Sequence, residues 1–232
     1  MSPGPGALFR GVGLVLGGAL FWLVYFDLKD RLQPEPRRRL VAAFLWGMGS
    51  AVVALGLYAV AAWLGFPEDP GVSAGDLFRY CFGLIGPVEE GAKFLVAVLV
   101  VFRWKEFDEP VDGLIYAAVL AIGFATFENF LYLPHLSWPE QIARALAAPV
   151  SHALLAVVWG FGVSRARFHA ASPVARFLWP TGALLAAMAL HGFYDFVILA
   201  WHATYLSAGV ALLLWFGFIR QARRLVAEAV LP

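Results

Sequence analysis

Residues 84–102, LIGPVEEGAKFLVAVLVVF, are long and apolar enough to cross a bilayer, yet they carry two adjacent carboxylates, Glu89 and Glu90, with Lys93 one turn further on. A charge held at a bilayer centre costs about 2.5–3.5 kcal/mol on insertion scales, so such groups persist where they have a partner or a task. Any fold this chain adopts must supply partners for all three.

Their surroundings are apolar throughout. Hydrophobic residues make up 61% of the 232 and charged residues 14%, with mean hydropathy +0.75. A soluble domain of ordinary composition is about 25% charged. The sequence therefore predicts an all-α, polytopic membrane helix bundle forming one integral membrane domain over residues 1–232, sited in the cell membrane with the lipid bilayer as its solvent. The formal net charge of +1, with no basic face, argues against nucleic acid as a partner. The single cysteine, Cys81, excludes an intrachain disulfide and a Cys-rich metal site. The first apolar run is too long for a signal peptide and is expected to be retained as a helix.

About seven spans are expected, at roughly 8–26, 40–66, 77–102, 111–133, 142–163, 177–200 and 204–219. Lys and Arg mark one set of connections: residues 27–39 hold five, 103–110 two, 164–176 three and 220–232 three, whereas 67–76, 134–141 and 201–203 hold none. The positive-inside rule then puts the N-terminus outside and the C-terminus in the cytoplasm. No half-to-half repeat of interrupted helices, the mark of many transporters, is present.

Polar residues recur within the spans that follow. Gly86 and Pro87 predict a kink just before the glutamate pair. Glu89 and Lys93 are four apart and share a helix face, so Lys93 is expected to neutralise Glu89 and leave Glu90 to a partner on another helix. The fourth span carries Asp112 at one end, read as a helix cap, and Glu128, Asn129 and Tyr132 towards the other; Gly123 and Ala125 suit close helix packing. The fifth carries Ser151 and His152 behind Pro149, and the sixth carries His191 and Asp195 one turn apart. His135, His169 and His202 fall in connections and are expected to be solvated. Lone burial of Glu89, Glu90, Lys93, Glu128 and Asp195 would cost about 12–17 kcal/mol in sum, so one polar cavity between spans three to six, with both histidines facing it, is expected.

Adjacent carboxylates in low dielectric disfavour double ionisation, so one tends to hold its proton while the other stays basic, the equipment for activating water and protonating a leaving amine. Histidines opposite them can stabilise an oxyanion. Ser151 and His152, being neighbours on a helix, do not face one another, which favours water over serine as nucleophile. No H-E-x-x-H occurs, but Glu, His and Asp from separate helices can assemble a metal site, with Glu90, His152, His191 and Asp195 as candidates; the cofactor is then a divalent metal such as zinc, or none. A proton- or cation-coupled transporter, or a scaffold using the cluster as interhelical glue, are the alternatives.

The blocks Glu89-Glu90-x-x-Lys93, Phe127-Glu128-x-x-x-Tyr132, Ser151-His152 and His191-x-x-x-Asp195, in that order, resemble the motifs of the PrsW family of intramembrane proteases, within the wider CAAX-protease and bacteriocin-processing group. The resemblance covers residues 84–197, the catalytic core helices. It implies a site-1-type intramembrane endopeptidase acting on a single-span membrane protein such as an anti-sigma factor. It further implies that Glu89, Glu90, Glu128, His152 and His191 are catalytic, with Asp195 beside them and Lys93, Asn129 and Tyr132 in support. Combined with the spacing, this gives Glu90 and His152 as activators of water, Glu89 oriented by Lys93, and His191 with Asp195 at the oxyanion. Glu128 and Asp195 lie near the outer ends of their spans, so cleavage is expected on the extracytoplasmic side.

Overall fold

A computed structural model describes residues 5–28, 34–67, 69–201 and 204–230; the side chains of residues 5–8, 204–208, 210, 222 and 225–230 are not described. His202 and two of the basic residues of the first connection, Lys29 and Arg31, lie outside the described residues. Among the described residues the fold is helical without strands. Its helices are α1 (Pro5–Asp27), α2 (Arg37–Trp63), α3 (Ala74–Tyr80), α4 (Gly86–Leu99), α5 (Asp112–Tyr132), α6 (Trp138–Ser164), α7 (Pro173–Trp201) and α8 (Thr204–Val230).

Among the described residues, five segments are long and apolar enough to cross a membrane: Phe9–Asp27, Arg37–Trp63, Asp112–His135, Trp138–His169 and Pro173–Trp201. The other two expected spans are a composite helix, in which a π turn over Cys81–Ile85 joins α3 to α4, and α8, whose shorter apolar part is Ala211–Gln221. The composite helix is the one burdened with the glutamate pair, Lys93, Asp76 and Arg79.

α5 is the central element. Residues 112–126 are buried without interruption, and α5 packs most extensively on α2 and α6. Glycines permit that closeness: a Cβ at Gly47 would overlap the Leu120 carbonyl, and one at Gly123 the Phe44 carbonyl. The expected packing role of Gly123 is met here, with α2 as the partner helix.

Two proline sites shape the helices that carry the cluster. Pro87 cannot donate a backbone hydrogen bond, and the turn just before it opens to the wider π pitch instead of breaking. At this point α4 meets α7 in backbone contact: a Cβ at Gly86 would overlap the Met188 carbonyl, and a Cβ at Gly192 would sit 2.8 Å from the Cys81 oxygen. That contact places His191 over the glutamate pair. In α6, Pro149 leaves the Ala145 carbonyl without its usual partner. α1 covers the same stretch, with Gly18 against the Ala145 carbonyl and the Trp22 indole donating to the Leu146 carbonyl at 2.8 Å.

At the end of the bundle free of basic connections, α2 stops where Gly65 enters the left-handed region (φ 91°), and the amides of Gly65 and Phe66 turn back to Ala62 and Ala61. α6 starts there behind a capping box of Ser137 and Glu140. At the opposite end Arg38 and Arg39 pair with Glu106, whose carboxyl the Arg39 hydrogen bond holds below its ordinary range. Asp112 is buried, but it accepts from the amides of Asp108 and Glu109 at 3.0 and 2.6 Å, so it ties down the preceding loop rather than capping its own helix.

Candidate functional site

The expected cluster forms. α4 contributes Glu89, Glu90 and Lys93, α5 Glu128, α6 His152 and α7 His191 with Asp195, and these groups are linked in a single chain of contacts. Arg144 meets Glu128 at 2.8 Å; the other Glu128 oxygen lies 3.0 Å from His152 Nε2; His152 Nδ1 lies 2.9 Å from Lys93 Nζ. Lys93 in turn donates to Glu90 Oε1 at 2.8 Å, the same oxygen lies 2.9 Å from His191 Nδ1, and His191 Nε2 lies 3.4 Å from Asp195.

The division of labour expected within the glutamate pair is met in part: Lys93 pairs with Glu89 at 3.6 Å and Glu90 finds partners on other helices, but Lys93 also bonds Glu90, three residues before it, at the shorter distance of 2.8 Å. Both spacings share a helix face, so sequence distance alone does not choose between them. The interior decides: Glu90 is fully buried, and its second oxygen accepts from the Trp159 indole at 2.9 Å. Both oxygens of Glu90 are thus held, Oε1 by Lys93 and His191 and Oε2 by Trp159. Glu89 turns instead to a cavity of about 510 Å3, where its Oε1 accepts from the Tyr58 hydroxyl at 3.1 Å. Its Oε2 is buried, has no hydrogen-bond partner and lies 3.8 Å from His152 Nδ1 and 3.7 Å from His191 Nε2.

The metal candidates change for the same reason. Among the described residues, the groups able to converge on one ion, with ligand atoms within 4.8 Å of one another, are Glu89, His152 and His191; Glu90 lies behind His191 and Asp195 beside it. The donor geometry fits a cation. An ammonium only donates, so the Nδ1 of His152 accepts from Lys93 with its lone pair and Nε2–H faces Glu128; an ion held at Nδ1 would replace that Lys93 contact. His191 donates from Nδ1 to Glu90, which leaves Nε2 between the carboxylates of Glu89 and Asp195, a position that calls for a proton or a metal. Each imidazole is therefore oriented by a carboxylate on its far nitrogen, the arrangement usual for metal-binding histidines. With both histidines neutral, four carboxylates face only two cations, Lys93 and Arg144, a formal excess that a divalent ion would cancel.

Among the supporting residues, Tyr132 lines the cavity and stacks under Arg144, whose guanidinium carbon is 3.8 Å from the ring centroid. Asn129 is buried away from the cavity wall and makes no side-chain hydrogen bond. Ser151 donates to the Ala148 carbonyl at 3.0 Å, which spends its hydroxyl on its own helix. His135 and His169 are exposed, as expected. Three contributors were not singled out in the sequence. Trp159 stands seven residues after His152 and so on its helical face, a readable signal. Arg144 and Tyr58 carried none; Tyr58 belongs to α2, outside residues 84–197.

The model of the PrsW family of intramembrane metalloproteases matches residues 35–220. The protease PrsW of Geobacillus kaustophilus is 35% identical over 213 residues, 91% of this chain and 89% of that protein, and the protease PrsW of Bacillus subtilis is 35% identical over 215 residues, 91% and 93%. The protease PrsW of Clostridioides difficile is 32% identical over 185 residues, 78% and 74%. No solved structure matches the chain. The transporter and scaffold alternatives give way to these relationships: the chain is a multi-pass membrane protein of the PrsW family of intramembrane metalloproteases, and thus a protease acting on membrane proteins.

Proposed function

We propose that this protease cleaves a single-span membrane protein on the extracytoplasmic side, with Glu89 as the carboxylate that faces the attacking water. The observation that carries the reading is Glu89 Oε2: a buried carboxylate oxygen with no hydrogen-bond partner, at the inner wall of a cavity, between two imidazole nitrogens.

The cavity supplies the route. Its wall runs from Glu89, Phe124 and Glu128 past Tyr58 to Phe66, Pro70 and His135. Phe66, Pro70 and His135 belong to the end whose connections carry no Lys or Arg, which the positive-inside rule assigns to the outside. The seven-span arrangement with an outer N-terminus and a cytoplasmic C-terminus is consistent with that opening. A membrane-anchored regulator of the anti-sigma type is the substrate class the family resemblance suggests.

The chemistry follows from the contacts. Water oxygen attacks the peptide carbonyl carbon, Glu89 takes the proton, and the carbon–nitrogen bond breaks as that proton passes to the leaving amine. His191, whose Nε2 lies 3.7 Å from Glu89 Oε2, faces the developing oxyanion and donates to it when that nitrogen carries a proton. Lys93 adds positive charge 3.6 Å from the same carboxylate oxygen, and His152 accepts from Lys93 through Nδ1. Glu90 and Glu128 hold the two rings in orientation, Lys93 offsets the charge of Glu90, and Asp195 supports His191 from one turn away. Glu89, His152 and His191 would hold a metal, and their two nitrogens and one oxygen suit zinc. Bound there, a zinc ion supplies Lewis-acid polarisation and a more acidic water.

The reading is tested by reconstituting the purified protein in liposomes with single-span substrates and mapping products by mass spectrometry. It predicts a cut at the extracytoplasmic end of the substrate span that stops on chelation and returns with zinc. Products cut at the cytoplasmic end would contradict it.

A further inference from the structure

Among the described residues, two groups outside the motif blocks hydrogen-bond the glutamate pair: the Trp159 indole meets Glu90 and the Tyr58 hydroxyl meets Glu89. Tyr58 sits on α2, a helix whose outer face is exposed at Val52, Val60 and Trp63 and whose cavity-side neighbours Ala51, Ala54, Leu55 and Ala62 are apolar. A tyrosine body suits such a half-buried wall, but its hydroxyl needs a polar partner when withdrawn from water. The partner it finds is Glu89 Oε1, at 3.1 Å.

The choice of oxygen has a consequence for the centre. A carboxylate on a flexible side chain can turn about its terminal torsion, which has broad minima. Glu90 is fixed by Lys93, His191 and Trp159, whereas Glu89 makes one side-chain hydrogen bond, to Tyr58, with Lys93 beyond bonding distance at 3.6 Å. With Oε1 tethered on the α2 side, Oε2 is left turned towards Lys93, His191 and His152, at 3.6, 3.7 and 3.8 Å.

We propose that Tyr58 is a positioning residue for the protease centre: its hydroxyl tethers Oε1 of Glu89 so that Oε2 is presented to the two histidines. The inference rests on the reading of Glu89, His152 and His191 as that centre. It makes α2, which carries no family block, part of the machinery, because a shift of this wall relative to α4 moves the carboxylate with it.

The test uses Tyr58→Phe in the full-length protein, which keeps the ring and removes only the hydroxyl. Folding is read from the thermal midpoint in detergent. Zinc affinity of metal-stripped protein and kcat and KM on a single-span substrate are then measured. Zinc binding is expected to weaken by about 10–100-fold and kcat to fall by a similar factor at unchanged KM, as is usual for groups that orient metal-binding side chains. In a Glu89→Gln background, Tyr58→Phe is expected to change zinc affinity no further, since it acts through Glu89. Unchanged affinity and kcat in the single variant, a rise in KM alone, or an additive loss in the double variant would overturn the proposal. Wild-type protein that neither binds zinc nor cleaves would instead count against the underlying reading of the site.

Discussion

Glu89 and Glu90 are chemically identical neighbours, and the fold gives them opposite work. Glu90 is held from three sides by Lys93, Trp159 and His191, whereas Glu89 Oε2 has no hydrogen bond and only a looser ion pair with Lys93 at 3.6 Å. The two glutamine variants should therefore differ in kind. Glu90→Gln removes the shorter of the two carboxylate contacts of the buried Lys93 and leaves only Glu89 at 3.6 Å. Breaking a buried pair outright costs about 3–5 kcal/mol, so a clear drop in the thermal midpoint, up to that size, is expected together with loss of activity. Glu89→Gln should leave the midpoint close to wild type. Equal midpoints for the two variants, measured by thermal unfolding in detergent, would argue against this assignment. The presence of the cluster was legible, because charges in an apolar span demand partners. Which glutamate Lys93 bonds more closely was not, because positions three and four residues back share a face and only the location of Trp159 and His191 separates them.

At the scale of elements, the site depends on how closely α4 and α7 approach. Gly86 lies against the Met188 carbonyl, and Gly192 against Cys81, directly beside the π turn. Replacing Gly86 with Ala puts a methyl group into that backbone contact. Overpacking of this sort costs about 1–3 kcal/mol, and it also moves His191 away from Glu90. Gly86→Ala is thus expected to lower both thermal stability and turnover, whereas Gly13→Ala, with open space at the Cβ position on α1, should change neither. Matching behaviour of the two variants would show that the α4–α7 contact does not set the site. The sequence announced an irregularity at Gly86-Pro87; that it takes the form of a π turn packed on α7 depends on α7 itself, which is distant in sequence. α2 was legible only as an apolar span, since a lone tyrosine on it has no periodic signal to mark it as a cavity residue.

For the whole molecule, the cavity opens at the end whose connections lack Lys and Arg, which the proposed topology puts outside by the positive-inside rule. Single cysteines placed at exposed His135 and at Lys105, in a Cys81→Ala background, test that topology in intact cells. An impermeant thiol reagent should label position 135 and leave position 105 unlabelled until the membrane is opened; the reverse pattern would invert the topology. Apolar spans, basic loops and order of motifs are properties of the linear chain, so the membrane bundle and family were readable from it. The cavity, by contrast, is made by α2, α4 and α5 converging, and no stretch of sequence encodes that convergence. The account stands most directly on Glu89, and one measurement reaches it: turnover of a single-span substrate by Glu89→Gln protein in liposomes, at a thermal midpoint matching wild type. Removing a group that transfers the proton should cost about 10²–10⁴-fold in kcat. Turnover within a few-fold of wild type would show that water is activated elsewhere.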